Sequence, residues 1–209
     1  MHARRSKTKG SPDAIPKAKQ VIEGSAIAKI KDLAGFRGGY WLIDPVTGHG
    51  LTFTFFDTKE NLEASSAQAN QIRTAAVAEI GAEVLAVDEF EVALDTGQKI
   101  HRNATHARVA EFEGEASQSD QTISMLKEHV LPNAAKLPGF QGGFWLVDRS
   151  SGKGVGVTLF DSAANIAASR EAANAIRERA SQNIPGTVGE FKEYEVLARA
   201  ETPAGVGAS

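Results

Sequence analysis

The chain repeats itself with a period of 104 residues. The sequence LAGFRGGYWLID at residues 33–44 returns as LPGFQGGFWLVD at residues 137–148, and the register then continues without a gap. Residues 33–94 and 137–198 share 26 identities in 62 aligned positions. A repeat of about domain length indicates two copies of one small fold, because solenoids repeat over much shorter segments. We therefore expect two related halves in one polypeptide.

Each copy predicts the element order β-α-β-β-α-β. In the second copy, strand-like segments lie at residues 108–114, 143–148, 155–160 and 188–197. Helices are expected between the first two strands, where Pro132 should end or kink the helix, and between the last two. This order is that of the ferredoxin-like split βαβ unit.

The domain boundaries follow from the repeat. Residues 1–97 form the first copy, 98–105 a linker, 106–200 the second copy and 201–209 a C-terminal tail. Apolar residues alternate onto both faces of each predicted antiparallel sheet, so both faces need cover. We expect an α+β protein in which the two sheets pack face to face. Such a chain would be a monomeric pseudo-dimer, or a homodimer of it.

Composition excludes several classes of function. The chain has no cysteine, which removes disulfides, thiolate metal sites and cysteine nucleophiles. The formal net charge is −3, so nucleic acid is not an expected partner. No apolar run has the length of a membrane span, and the basic N-terminus has no apolar core of a signal peptide. The five histidines show no metal-ligand spacing. We expect a cytoplasmic protein without metal or membrane partner.

Three short segments carry a family resemblance. They are Gly-Phe-x-Gly-Gly-(Tyr/Phe)-Trp-Leu-(Ile/Val)-Asp, then Gly-x-Gly, then Thr-x-Phe-Asp-(Thr/Ser), and both copies contain them. The chain resembles a tandem version of the antibiotic biosynthesis monooxygenase domain family, whose members are dimeric α/β barrels. The resemblance covers most of both copies, and its motifs mark the fold more than the activity.

Two polar pairs recur at the same place in the second helix of each copy. Asn70 precedes Arg73 by three residues, as Asn174 precedes Arg177, and such residues are neighbours on a helix. One interpretation is a solvated face with a local hydrogen bond. The other is a catalytic cluster at a pocket mouth, where the planar guanidinium orients a phenol, a quinone or a carboxylate.

Aromatic residues at equivalent strand positions are the expected substrate-binding groups. Trp41 and Trp145 are the only tryptophans, and Tyr40 and Phe144 precede them. Buried aromatic residues are common in cores, but the same rings can form the flat wall of a ligand pocket.

Carboxylates at alternate strand positions give a weaker candidate. Glu89 and Glu91 share one face of the last strand, as Glu193 and Glu195 do in the second copy. Acid–base catalysis would require one of each pair to be desolvated. A solvated or interface face is the more common setting.

Three functions are open. The resemblance implies a cofactor-independent monooxygenase that oxidises a small phenolic or hydroquinone-type molecule in the barrel pocket. A non-enzymatic binding or stress-related protein is the alternative. Haem-degrading proteins of this fold have a Trp and a His in the second helix and an Asn on the first strand. In this chain the Trp position is occupied by Ser65 and Ser169, the His position by Ala75 and Arg179, and the first strand has no Asn, so haem degradation is disfavoured.

Overall fold

A computed structural model of the chain describes residues 1–96, 103–183 and 186–202. The chain divides into two compact units. The first unit contains the chain up to Glu89 together with the segment that starts at Val196, and the second unit runs from Phe90 to Glu195. Most of the predicted linker and tail lies outside the described residues.

The first unit contains the elements of the first copy. Its strands and helices are β1 (His2–Lys9), α1 (Ile15–Val21), α2 (Ile27–Lys31), β2 (Phe36–Ile43), β3 (His49–Phe56), α3 (Lys59–Ala64), α4 (Ser66–Ile80) and the start of β4 (Glu83–Asp95). The sheet order is β4-β1-β3-β2, and β3 is antiparallel to both of its neighbours. This is the strand order of a ferredoxin-like sheet.

The second unit repeats this arrangement. Its elements are β5 (His106–Glu113), α5 (Ser119–Met125), α6 (Leu131–Ala134), β6 (Phe140–Val147), β7 (Lys153–Phe160), α7 (Ala163–Ala168), α8 (Arg170–Asn183), β8 (Thr187–Val188) and the start of β9 (Lys192–Glu201). The order is β9-β5-β7-β6, with antiparallel pairing at each step. The described elements thus confirm the α+β class and the β-α-β-β-α-β order, although the last strand predicted at residues 188–197 is divided into β8 and β9.

The last strand of each copy ends in the other unit. The end of β4, from Phe90, belongs to the second unit, where it pairs with β6. The end of β9, from Val196, belongs to the first unit, whose core contains Ala198 and Ala200. The compact units therefore change over within the last strand of each copy, between Glu89 and Phe90 and between Glu195 and Val196.

The long second helix of each copy is broken at a serine. The sequence predicts one helix between the last two strands of each copy, but in the first copy it is divided into α3 and α4 at Ser65. The carbonyl of Leu62 accepts a hydrogen bond from Arg4 Nη2 at 2.6 Å, and the Ser65 hydroxyl donates to the same oxygen at 2.7 Å. A carbonyl used in this way is lost to the regular helical ladder. The second copy has the same break at Ser169.

The first helical segment of each copy contains a π turn. The turn covers Ile22–Ala26 in the first copy and Leu126–Val130 in the second. Pro132 follows the second of these turns, as the expected kink would require. The first copy has alanine at the equivalent position 28 and still has the turn, so proline is not its cause.

Candidate functional site

An apolar cavity lies inside the first unit, between the helices and the sheet. Its volume is about 110 Å³. Ala18, Ile22 and Ala26 line it from the first helical segment, and Ile72 and Ala76 line it from α4. Apolar enclosure with a few polar groups is typical of a small-molecule site.

Trp41 forms part of the cavity wall. Its side chain is buried, and its ring lies over Gly39, where an added Cβ would come within 3.2 Å of Trp41 Cη2 and 2.7 Å of the Phe53 carbonyl oxygen. The second glycine of the repeated Gly-Gly pair therefore lets the indole ring of Trp41 pack against the strand, because it has no side chain there. Gly143 does the same for Trp145, with 3.1 Å to Cη2.

Hydroxyl groups line the strand side of this cavity. They come from Ser6 and Thr8 on β1 and from Thr52 and Thr54 on β3. In the second copy the four positions are occupied by Ala110, Phe112, Gly156 and Thr158. Three of the four hydroxyl positions are thus specific to the first copy.

Arg73 brings a positive charge to the apolar wall. Its Nη2 donates to Asn70 Oδ1 at 3.0 Å and its Nη1 donates to Ser6 Oγ at 3.3 Å, while its buried Nε has no hydrogen-bond partner. No carboxylate within the described ranges forms an ion pair with it. Burial, and then the positive charge of Arg4, lower the pKa of Arg73 from its ordinary value. The guanidinium therefore offers a desolvated donor to an anion in the cavity.

Arg4 also reaches the cavity, but its charge is balanced. Its Nη2 lies 2.7 Å from Glu89 Oε1, and its Nη1 donates to Ser65 Oγ at 3.1 Å. The side chain is 3 % exposed, so the ion pair and the helix carbonyl together replace its hydration. Arg4 and its equivalent Arg108 are the residues that the sequence interpretation missed. The His-Ala-Arg triplet that opens β1 and β5 was the available signal.

The second unit has a smaller cavity at the equivalent place. Its volume is about 70 Å³, and Phe112, Leu126, Trp145 and Ala180 are among its lining residues. Phe112 takes the position of Thr8 and its ring lies against Gly154. The pocket is therefore narrowed by a side chain of the protein itself.

The Asn–Arg pair differs between the copies. Asn70 and Arg73 are joined by a hydrogen bond, whereas no such bond joins Asn174 to Arg177 in the described part of the second unit. Arg177 instead lies against Phe191, with its Cζ 5.9 Å from the ring centroid. Val87 occupies the equivalent position in the first copy. Arg177 lines the smaller cavity of the second unit, and its buried Nε, like that of Arg73, has no hydrogen-bond partner among the described residues. Asn174 and Arg177 also line an open surface cleft that they share with Arg170 and Glu193.

The expected aromatic residues separate onto two faces. Trp41 and Trp145 line the cavities, but Tyr40 and Phe144 are absent from both linings. Tyr40 is buried and makes an edge contact with Phe55, with ring centroids 6.5 Å apart. Neighbouring residues of a strand point to opposite faces, so Tyr40 cannot share the wall that Trp41 forms. The same holds for Phe144 and Trp145.

The expected carboxylates take part in ion pairs with arginine. Glu89 binds Arg4, Glu193 binds Arg108 and Arg170, and Glu91 binds Arg149. Burial tends to raise the pKa of Glu193, but hydrogen bonds from Arg170 and Arg108 lower it overall. A carboxylate held ionised in this way is a structural anion and not a proton acceptor near neutral pH.

Metal and haem ligands are missing from the cavity wall. Within the described ranges no group of three or more His, Cys, Asp or Glu side chains could hold a metal ion. The lining residues of the first unit's cavity include no His, Cys, Met or Tyr, which are the usual axial ligands of haem. The residues present therefore do not fit haem.

No helix in the described part of the chain is long and apolar enough to span a membrane.

Two proteins of Mycobacterium tuberculosis are similar to this chain along most of its length. No profile of a known protein family matches the chain. An uncharacterized protein of Mycobacterium tuberculosis (strain H37Rv) is 28% identical over 206 residues, covering 97% of this chain and 91% of that protein. The same values hold for an uncharacterized protein of the CDC 1551 strain.

Three solved structures have a similar fold at low sequence identity. An anthrone oxidase-like protein has a TM-score of 0.67 at 16% identity, covering 100% of this chain and 96% of that one. A ferredoxin-fold protein related to antibiotic biosynthesis monooxygenases, from Listeria monocytogenes, has 0.51 at 10%, covering 93% and 94%. A heme-degrading enzyme from the same species has 0.51 at 9%, covering 94% and 99%. The chain therefore shares the fold of these three proteins.

Proposed function

We propose that the protein is a cofactor-independent monooxygenase that oxidises a small phenol or hydroquinone in the cavity of the first unit. The observation that carries the proposal is Arg73, a part-buried guanidinium that lines the apolar cavity and forms no ion pair with a carboxylate of the described residues. A phenolate oxygen supplies the acceptor and the negative charge that this guanidinium lacks. Asn70 and Ser6 hold the guanidinium in place. Asn174 and Arg177 are not part of this site.

The rest of the wall suits an aromatic ring. Trp41 offers a flat surface, and Ile22 and Ile72 offer branched aliphatic contacts on the helix side. Aromatic pairs of this kind add about 0.5–1.5 kcal/mol beyond the burial of their area. Thr8 and Thr52 can donate hydrogen bonds to further oxygen atoms of the ligand.

The reaction needs only the substrate and molecular oxygen. A phenol with a free para carbon loses its proton to solvent, and the phenolate transfers an electron to O₂. The radical pair then forms a bond between the para carbon and oxygen. Protonation of the resulting peroxide and loss of water give the para-quinone, so one oxygen atom enters the product and the other leaves as water. The phenol loses four electrons and O₂ accepts four.

The protein contributes a favourable environment to this chemistry. Arg73 favours the ionised phenol, and a cavity with few polar groups strengthens that attraction because water does not screen it. Exclusion of water also protects the radical pair from side reactions. The fold shared with an anthrone oxidase-like protein is consistent with this assignment.

Incorporation of labelled oxygen into the product tests the proposal directly. Phenol, 2-methylphenol and 1-naphthol are each incubated with the protein under ¹⁸O₂, and the quinone is analysed by mass spectrometry. We expect quinone with one ¹⁸O atom, and R73Q should lower kcat/KM by about 10²-fold because the phenolate loses its counter-charge. R177Q is the matched control and should leave turnover unchanged. Absence of turnover with every phenol would contradict the proposal.

A binding protein without catalysis is the second candidate. The described cavity wall of the first unit contains no carboxylate and no histidine, so it has no evident general base. A protein of this kind would be stabilised by the same phenols without consuming oxygen. A rise in Tm that depends on Arg73, with no ¹⁸O incorporation, would favour this function over the enzyme.

A further inference from the structure

The two copies differ in the size of one strand side chain that faces the cavity. Thr8 on β1 and Phe112 on β5 are equivalent, and both are paired with a glycine on the neighbouring strand, Gly50 and Gly154. An added Cβ at Gly50 would meet Thr8 Oγ1, whereas one at Gly154 would meet the ring of Phe112. Both side chains therefore point to the same side of their sheets, and only the second carries a ring.

Three residues beside these positions are the same or similar in the two copies. Phe112 packs in a core cluster with Leu126, Trp145 and Ala180. The equivalent residues of the first copy line its cavity, and these are Ile22, Trp41 and Ala76. The wall that surrounds the Phe112 ring in the second unit thus surrounds open space in the first.

We infer that the ligand of the first unit places one six-membered aromatic ring where the second unit holds the ring of Phe112, so that each chain binds a single ligand. This inference rests on the proposed site and adds the size, position and number of ligands. Phe112 acts as an internal substitute for the ligand, and Thr8 is the residue that leaves the first site open.

The position of Arg73 agrees with a ring at this place. Its guanidinium is bonded to Ser6, which is two residues before Thr8 on the same face of β1. Residues two apart on a strand are separated by about 7 Å. A phenol spans this distance with its ring beside Thr8 and its oxygen directed to Arg73.

The reciprocal exchange tests the inference in solution. The probe is 4-fluorophenol, and ¹⁹F NMR counts the resonances of the bound form. The unchanged protein should show one bound resonance and a stoichiometry of one. T8F should weaken binding at least about tenfold, because the new ring fills the cavity, while T8V keeps the space and should stay within about threefold. F112T should add a second bound resonance.

Xenon in pressurised crystals gives an independent readout. We expect xenon beside Trp41 in the unchanged protein, none there in T8F, and an additional atom beside Trp145 in F112T. T8F introduces no cavity, so it remains informative if F112T fails to fold. Equal occupancy of both units in the unchanged protein, or full binding of 4-fluorophenol by T8F, would overturn the inference. Both results measure binding and not turnover. A failure of the monooxygenase proposal would instead appear as absence of ¹⁸O in the product, so the two failures can be distinguished.

Discussion

Arg108 and Glu193 form an ion pair, with 2.7 Å between Nη2 and Oε1, although the arginine side chain is only 1 % exposed. Two further hydrogen bonds hold the guanidinium, since Nη1 donates to Ser169 Oγ at 2.9 Å and Nη2 donates to the Ile166 carbonyl at 2.6 Å. Phe160 and Phe191 flank it at 5.2 and 5.4 Å from Cζ to the ring centroids. The stability of a positive charge buried in this way depends strongly on its carboxylate partner, Glu193.

Removal of this carboxylate should destabilise the protein and change its response to acid. We expect E193Q to lower the free energy of unfolding by about 3 kcal/mol, because Arg108 keeps its charge without a counter-ion. The pKa of Glu193 is lowered in the folded protein, so its stabilising effect is present above pH 4.5 and is lost as the pH falls below that value. Urea unfolding at pH 7 and pH 3.5 measures both effects. An E193Q protein that loses as much stability between these pH values as the unchanged protein would contradict the assignment.

The ion pairs of Arg149 provide a contrast. Its side chain is 43 % exposed, and it bonds Glu91 and Asp120, each at 2.6 Å. Hydrogen bonds from Arg149 to these carboxylates raise its pKa, but solvent screens such pairs. We expect R149Q to cost less than about 1 kcal/mol in the same urea experiment. If R149Q lost as much unfolding free energy as E193Q, solvent exposure would not predict how much these ion pairs stabilise the protein.

The two tryptophans report separately on the two cavities. Trp41 and Trp145 are the only tryptophans, and each lines the cavity of its own unit. In W145F, phenol binding should still quench the fluorescence of Trp41, because the ligand lies against that ring. In W41F, the fluorescence of Trp145 should stay constant across the same titration. Quenching of Trp145 alone would place the ligand in the second unit and contradict the proposed site.

The end of the last strand should be required by the first copy. Ala198 and Ala200 are buried in the core of the first unit, and Thr202 bonds the backbone of Phe36 and Arg37. A chain that ends at residue 195 should therefore lose most of the first unit's protection in amide hydrogen exchange. A chain that ends at residue 202 keeps these contacts and is the control. Unchanged exchange in the shorter chain would disprove this dependence.

Several features could be predicted from residue patterns. The repeat predicted two copies of one element order. The Asn-x-x-Arg spacing left two interpretations open, and among the described residues the hydrogen bond joins Asn70 to Arg73 but not Asn174 to Arg177. The break at Ser65 involves Arg4, which is 61 residues away in sequence, so local propensity alone does not predict it. Tyr40 was grouped with Trp41 although strand alternation separates adjacent side chains.

The sequence alone determined the duplicated ferredoxin-like order and the faces of its helices and strands, since these depend on local periodicity and on turn residues. Only the tertiary structure decided which unit has room for a ligand. Thr8 and Phe112 are both ordinary strand residues, and what separates them is the volume enclosed by distant side chains such as Trp41 and Trp145. Enclosed volume depends on packing between segments that are far apart in the chain, and no local pattern records it.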